Sequence, residues 1–428
     1  MKTLIKNAKL QNQKELVDIA INDGVIATIE SGITGDFDNT IDAGGNIVVP
    51  PFVDSHFHLD SVLNLGNPRL NESGTLLEGI QIWNEYKNTL DFTAENILKR
   101  AKEYCGWAIS QGILAIRSHV DVCDDRLIGV DALLQLKKEM AEYIDIQLVA
   151  FPQDGYYRDP NAIDNLNKAL DKGIDVVGGI PHAERTMAEG SESVKALMQI
   201  AEKRGLLVDM HCDETDDVNS RHIETLTAET IRLGMNGRVA GSHVTAMHGY
   251  DNYYFEKLKG LMATADMNIV TNPLINITLQ GRFDTYPKRR GLARIPELND
   301  AGINVTMAQD CVMDPWYNAG KADMFEVLLM GSHVAHMNAP SQIEQCFDMI
   351  TKNPAKVMGI EKYGIEKGCN GDLVILNADS IFEAVRLKAE RLFVIRRGKV
   401  VATSQPSKTT LDIAGEKHII DFKRKNVK

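Results

Sequence analysis

His56-Phe57-His58 sets two imidazoles one residue apart. In an extended strand, residues i and i+2 project to the same side, so the pair can offer two nitrogens to one ion. His211 and Asp310 each close a later apolar run. Neutral imidazole and carboxylate are suitable ligands for Zn2+ or Fe2+. Together the four residues can hold one divalent ion and leave a position for water. The HxH pair alone also reads as two histidines satisfied within a loop. The joint set of four is what points to an ion. His243 closes a further run and reads either as a fifth ligand or as a base beside the bound water. The second role suits a shell that four protein groups nearly fill. Glu214 follows His211 by three residues. A protonated carboxyl there can pass a proton between water and a ring nitrogen. The alternative is a surface acid in a stretch that also holds Asp213, Asp216 and Asp217. His119 and His182 read as strand-end histidines that hydrogen-bond their neighbours. His248, His333 and His336 fall in helical or loop contexts.

These groups need a scaffold that brings distant strand ends together. Between about residues 51 and 367, eight apolar, strand-like runs alternate with helical stretches. The runs cover 47–58, 113–121, 145–152, 175–181, 205–213, 238–244, 267–273 and 303–310. Segments such as 94–112 and 191–205 carry apolar residues at helical spacing and end near glycine. Eight βα units in roughly 300 residues predict an α/β fold, a (β/α)8 or TIM barrel. Active sites of such barrels sit at the C-terminal ends of the strands. His56, His58, His119, Gln153, His211, His243 and Asp310 all fall there. The first 50 residues and residues 368–428 have a different texture: short β-branched runs separated by turns such as NDG and RRG. They predict one small β-sandwich domain, 1–50 with 368–428, split in sequence around a 51–367 barrel.

Composition narrows the class. Of the 428 residues, 44% are hydrophobic and 25% charged, an ordinary globular balance. The formal charge of −12 disfavours general nucleic-acid binding. Lys288-Arg289-Arg290 reads as a solvated loop or subunit contact rather than a nucleic-acid patch. The HxE and PCxxC pattern of polynucleotide deaminases is absent. No apolar run spans a membrane, and MKTLIKNAKLQNQKE lacks a signal-peptide core. Six dispersed cysteines without a CxxC pair fit a reducing, cytoplasmic setting.

The stretches HFHLD, SGTLLEGI, HVDV, VAFPQDG, DVVGGIPH, DMHCDE, SHVTAMH, NPLINITLQGRFDTYPKRRG and DPWY occur in this order. With them the chain closely resembles the bacterial cytosine deaminases of the amidohydrolase superfamily, over roughly residues 45–405. The resemblance implies that His56, His58, His211 and Asp310 are metal ligands. It implies that Glu214 is the proton shuttle and that His243 activates the bound water. Gln153 would read the base, with Leu76 and Trp316 lining the ring pocket. One ion, zinc or iron, and a homo-oligomer are implied. The fourth strand ends in GGIPHAE without the lysine that bridges two metals in larger relatives. The implied reaction is attack of metal-bound hydroxide on C4 of a free pyrimidine, with His243 and Asp310 able to accept the water's proton, N3 protonated by Glu214 and ammonia expelled. The Gln153 amide offers a donor and an acceptor, matching O2 and N1–H of a free base. A nucleoside loses that N1–H and adds bulk.

One position departs from the family pattern. Asp310 is followed by Cys311 where the family carries a second aspartate near the C5 edge of the ring. A smaller, uncharged residue there leaves room for a methyl group. The expected substrate is therefore 5-methylcytosine in preference to cytosine. The alternatives are an ordinary cytosine deaminase and an aminohydrolase of an s-triazine such as an N-substituted ammelide. A hydantoinase-like ring opening is disfavoured by the missing lysine and by the HCDE acid. A non-enzymatic relative would have lost its ligands, and here they are intact.

Overall fold

The computed structural model describes residues 1–11 and 13–423. Eight parallel strands form one sheet in sequential order: β6 (Phe52–Phe57), β7 (Ile113–Asp121), β8 (Asp145–Phe151), β9 (Val176–Gly179), β10 (Leu207–Cys212), β11 (Val239–His243), β12 (Asn268–Thr271) and β13 (Asn304–Met307). Each falls inside one of the eight apolar runs. Their side chains are buried almost without exception, because helices cover the outside and the strands fill the inside. The ring closes just past the strand ends. Phe57 bridges Asp310 in parallel register, the His58 amide donates to the Asp310 carbonyl at 3.1 Å, and the Asp310 amide donates to the His56 carbonyl at 2.9 Å. Closure therefore runs through three of the candidate site residues.

The helices form where their end signals predict. The helix Ala94–Ser110 starts at Thr93, whose side chain accepts from the Asn96 amide. The helix Met187–Arg204 starts at Thr186 and stops at Gly205, which takes the left-handed conformation at φ 69°. Among the described residues, no helix is long and apolar enough to cross a membrane.

The chain ends build two four-stranded sheets. One orders β3 (Val25–Glu30), β2 (Val17–Asn22), β1 (Lys2–Ala8) and β4 (Asn39–Asp42). The other orders β16 (Lys399–Thr403), β15 (Arg391–Arg396), β14 (Leu373–Leu376) and β5 (Val48–Val49). Ile5, Ile19, Ile21 and Ile41 from the first meet Val48, Leu373, Ile375 and Ile395 from the second in one small core. The intervening Val49, Val374, Leu376 and Val394 join the main hydrophobic core with the barrel. Period-two alternation thus glues the second sheet to both partners. The late run around 417–422 does not enter either sheet. Its strand β18 (Glu416–Ile420) pairs with β17 (Thr409–Ile413) as a separate exposed ribbon.

Candidate metal and substrate site

A small cavity lies at the C-terminal mouth of the barrel. His58, Leu76, Gln153, His211, Glu214, His243, Asp310, Cys311 and Trp316 all line it. His56 stands directly beneath, fully buried. Residues spread over 260 positions of sequence are therefore gathered at one place by strand-end position alone.

The centre is crowded with nitrogen. His58 Nε2 and His211 Nε2 are 3.1 Å apart. His56 Nε2 and His58 Nε2 each lie 3.5 Å from Asp310 Oδ1. His56 Nε2 is buried and has no hydrogen-bond partner. Burial holds the pKa of His56, His58 and His211 well below the ordinary imidazole value, so the rings are neutral at pH 7. Neutral imidazoles facing each other at such distances, closed on one side by a carboxylate, are a poor arrangement without a cation. Three imidazoles and one carboxylate are a suitable donor set for Zn2+ or Fe2+.

The outer atoms of this cluster are fixed. His56 Nδ1 meets Ser242 Oγ at 2.9 Å, and Ser242 donates to Asp209 Oδ1 at 2.6 Å. Asp209 in turn accepts from the buried Arg117 guanidinium at 2.9 Å. This chain points His56 Nε2 at the centre. The His211 ring stacks on Phe151, with centroids 4.1 Å apart. His243 Nδ1 lies 3.2 Å from Glu214 Oε1 and 2.9 Å from the Asn276 amide nitrogen, with Asn272 at 3.2 Å. His243 and Asp310 both have φ of 68°, left-handed values that cost a non-glycine residue energy and that cluster at functional sites.

Glu214 and Asp310 are both buried, and burial raises both carboxyl pKa values, Asp310 also through repulsion from Glu214. The neighbouring Asp213 is a different kind of group. It accepts from Ser220 Oγ at 2.6 Å and from the His222 and Ile223 amides at 3.0 and 2.9 Å, which pins the turn that presents Glu214. Glu214 is thus a site acid rather than a surface one.

His119 Nε2 faces Asp209 Oδ1 at 3.7 Å. It packs against His56 with centroids 4.2 Å apart and belongs to the same imidazole cluster. His182 lines an outer chamber and not the inner cavity. Lys288, Arg289 and Arg290 lie in the exposed loop that the sequence reading expects, with Lys288 and Arg290 exposed and Arg289 half-buried. Lys288 donates to the Gly281 carbonyl at 2.6 Å, Arg289 pairs with Asp284 at 2.5 Å, and Arg290 donates to the Val334 carbonyl at 2.8 Å. They fasten their own loop.

Ser242, Asp209, Asn272 and Asn276 escaped the sequence reading, as did the cavity-lining Ile180, Ile275 and Leu279. The Asn272 and Asn276 pair did carry a signal: Asn272 precedes Pro273 at the N-cap of the helix Pro273–Leu279, and Asn276 follows one turn later.

The wall opposite the metal cluster is built by the helix Leu76–Lys87. A Cβ at Gly79 would meet Trp316 Cδ1 at 2.4 Å, so only glycine lets that indole lie flat along the cavity. Lys87 Nζ donates to Asp121 at 2.7 Å and to Asp154 at 3.3 Å, tying the helix end to strand β7 and to the residue after Gln153.

The sequence profile of the amidohydrolase family matches residues 39–403. The chain belongs to the amidohydrolase family. It is 42% identical to the 5-methylcytosine deaminase from Klebsiella pneumoniae, whose crystal structure liganded with 5-fluorocytosine superposes with a TM-score of 0.91, covering 95% of this chain and 98% of that one. It is 32% identical over 413 residues to N-isopropylammelide isopropyl amidohydrolase of Pseudomonas sp. (strain ADP), 94% of this chain and 97% of that protein. Pterin deaminase of Rhizobium rhizogenes (strain K84) is 26% identical over 400 residues, 92% and 90% of the two chains. This amidohydrolase is therefore a hydrolytic enzyme, and its barrel mouth is the place where family membership and local chemistry coincide.

Proposed function

We propose that this enzyme hydrolytically deaminates a free cytosine-type base and prefers 5-methylcytosine, giving thymine and ammonia. The observation that carries the reading is one small cavity lined by three kinds of group: an imidazole–carboxylate cluster, the buried acid Glu214, and the Leu76 and Trp316 side chains together with the Gln153 amide. The 42% identity to the Klebsiella pneumoniae 5-methylcytosine deaminase supports the substrate class. His56, His58, His211 and Asp310 would hold one divalent ion, zinc or iron. Such an ion lowers the pKa of water from about 16 toward 7 and so supplies a nucleophile at neutral pH.

The remaining work belongs to side chains. Gln153 pairs its amide with O2 and N1–H and so orients the ring. Trp316 and Leu76 hold the ring flat. Burial keeps Glu214 protonated at neutral pH, and this acid delivers its proton to N3, drawing electron density from C4. His243, beside both Glu214 and Asp310, takes the proton released by the attacking water. The small cavity and the amide at its end favour free bases over nucleosides.

Cys311 sets the methyl preference. It is buried, and its thiol donates to Asp310 Oδ1 at 3.6 Å. Burial pushes the thiol pKa up, so it stays neutral. Admitting a methyl is worth about 0.8 kcal/mol of burial, and relieving an overpacked contact about 1–3 more. Cys311→Asp is expected to move the kcat/KM ratio toward cytosine by tens to hundreds of fold. Asp310 and Asp314 already lie close by, so a third carboxylate also costs stability. Cys311→Ser controls for polarity at nearly constant size and should move the ratio much less.

The test of the function is a panel of 5-methylcytosine, cytosine, cytidine and N-isopropylammelide, with zinc or iron loaded stoichiometrically. The order of kcat/KM expected is 5-methylcytosine, then cytosine, with cytidine inert. Equal values for the two bases end the methyl preference. Faster amine release from the ammelide transfers the reading to triazines.

The Gly79 contact gives a second check. Gly79→Ala forces the Trp316 ring off its position, an overpacking worth about 1–3 kcal/mol. KM for the base should rise by about tenfold or more, with a smaller change in kcat. An unchanged KM would remove Trp316 from the binding wall.

A further inference from the structure

The Gln153 amide has no protein group to hold it. The residue is buried in the wall of the inner cavity, and among the described residues its side chain makes no hydrogen bond to the protein. Its position is therefore set by the backbone around it. The next residue, Asp154, is fixed through its side chain, which accepts from Asn84 Nδ2 at 2.9 Å and from Lys87 Nζ at 3.3 Å.

Beyond Asp154 the chain wraps around a carboxylate. Glu184 accepts from the backbone amides of Tyr156 at 2.7 Å, Tyr157 at 3.2 Å and Arg158 at 3.0 Å. Three successive N–H groups thus converge on one buried side chain. Such a nest suits an anion, and the charge strengthens each bond. Gly155 lets the backbone come this close. It stands at φ 99°, and a Cβ there would meet Arg158 Cβ at 3.0 Å and Glu184 Oε2 at 3.1 Å. Arg158 Nε closes the turn by donating to the Asp154 carbonyl at 2.6 Å. Glu184 itself comes from the loop after β9, a strand that carries no candidate metal ligand. It lines the outer chamber and not the inner cavity, so its route to the base runs through the turn.

We infer that Glu184 is a positioning residue: it sets where the Gln153 amide stands, and through it how tightly a free base is held. This rests on the role given to Gln153 under the proposed function. Glu184→Gln tests it at constant size. Glutamine has one acceptor oxygen and turns its NH2 toward a turn N–H, donor against donor. The turn must shift or leave an N–H unpaired, and Gln153 moves with it.

The experiment measures kcat and KM for 5-methylcytosine on metal-loaded wild type, Glu184→Gln, Gln153→Ala and the double variant. Metal content and melting temperature are recorded for each. Glu184→Gln should raise KM by about tenfold or more, because a misplacement of about 1 Å costs up to about a hundredfold. Its kcat should change less and its metal content not at all. In the double variant KM should equal that of Gln153→Ala alone, since the first group acts only through the second. A role confined to folding would instead add its loss to that of Gln153→Ala, so additive losses overturn the inference. An unchanged KM in Glu184→Gln beside a raised KM in Gln153→Ala overturns it too and leaves the deaminase reading intact. An unchanged KM in Gln153→Ala defeats the role of Gln153 itself. If Glu184→Gln does not fold, Glu184→Asp carries the same comparison. It keeps both acceptor oxygens, drawn back by a methylene, and should raise KM in the wild-type background but not in the Gln153→Ala background.

Discussion

Glu214→Gln is expected to lower kcat on 5-methylcytosine by about 10^2 to 10^4-fold, the range spanned by loss of one general acid–base group. Glutamine keeps the shape and can still donate a hydrogen bond to N3, so KM should change far less. It cannot hand over a proton. The effect on stability runs in the opposite direction. In the metal-free protein the folded-state pKa of Glu214 is raised by burial above its unfolded value. The unfolded chain then ionises first as pH rises, so this group costs stability above the unfolded pKa and nothing below it. The amide removes that cost. Thermal melts of metal-free wild type and Glu214→Gln at pH 7 should show the variant equal or more stable, while the assay shows it nearly inactive. A variant with wild-type kcat would take the proton transfer away from Glu214. A variant that is inactive because it is unfolded would show in the melt.

The second large effect comes from the imidazole–carboxylate cluster. A strong chelator should abolish turnover, and zinc or iron should restore it. Asp310→Ala and His211→Ala should each lose activity beyond the range expected for Glu214→Gln, because they remove the group that makes a nucleophile available at neutral pH. Binding should also be visible without activity. An ion that binds only the folded chain stabilises it by about 4 kcal/mol at a thousand times its Kd. Metal-loaded protein should therefore melt several degrees above the chelated form, and the ligand variants should lose that difference. Elemental analysis should find one ion per chain. Two ions per chain, or full activity after exhaustive chelation, would contradict the single-ion site.

Barrel closure explains why these effects should be so concentrated. His56, His58 and Asp310 exchange backbone hydrogen bonds with one another where the first and last strands meet. The ring cannot close without bringing its candidate ligands together. Arg117 and Asp209, fully buried below them, support the floor on which His56 stands. A buried ion pair of this kind is weak evidence for stability, but it fixes direction, and direction is what His56 needs.

The types and order of the reacting groups were legible in the chain itself. Strand periodicity is local, so each apolar run announced its own strand. The polar residues closing six of the eight runs then announced which end faced the mouth. The Cys311 departure was visible because it needs only a neighbour in sequence. Other features depend on contacts across hundreds of residues. That His119 packs among the other rings, that Ser242 and Asp209 aim His56, and that Asn272 and Asn276 hold His243 follow from the register between neighbouring strands. That Gly79 leaves the room Trp316 occupies follows from how loops pack over the mouth. Side-chain alternation and strand ends are properties of a single segment, whereas register, closure and loop packing are properties of pairs of segments, and no single segment carries them.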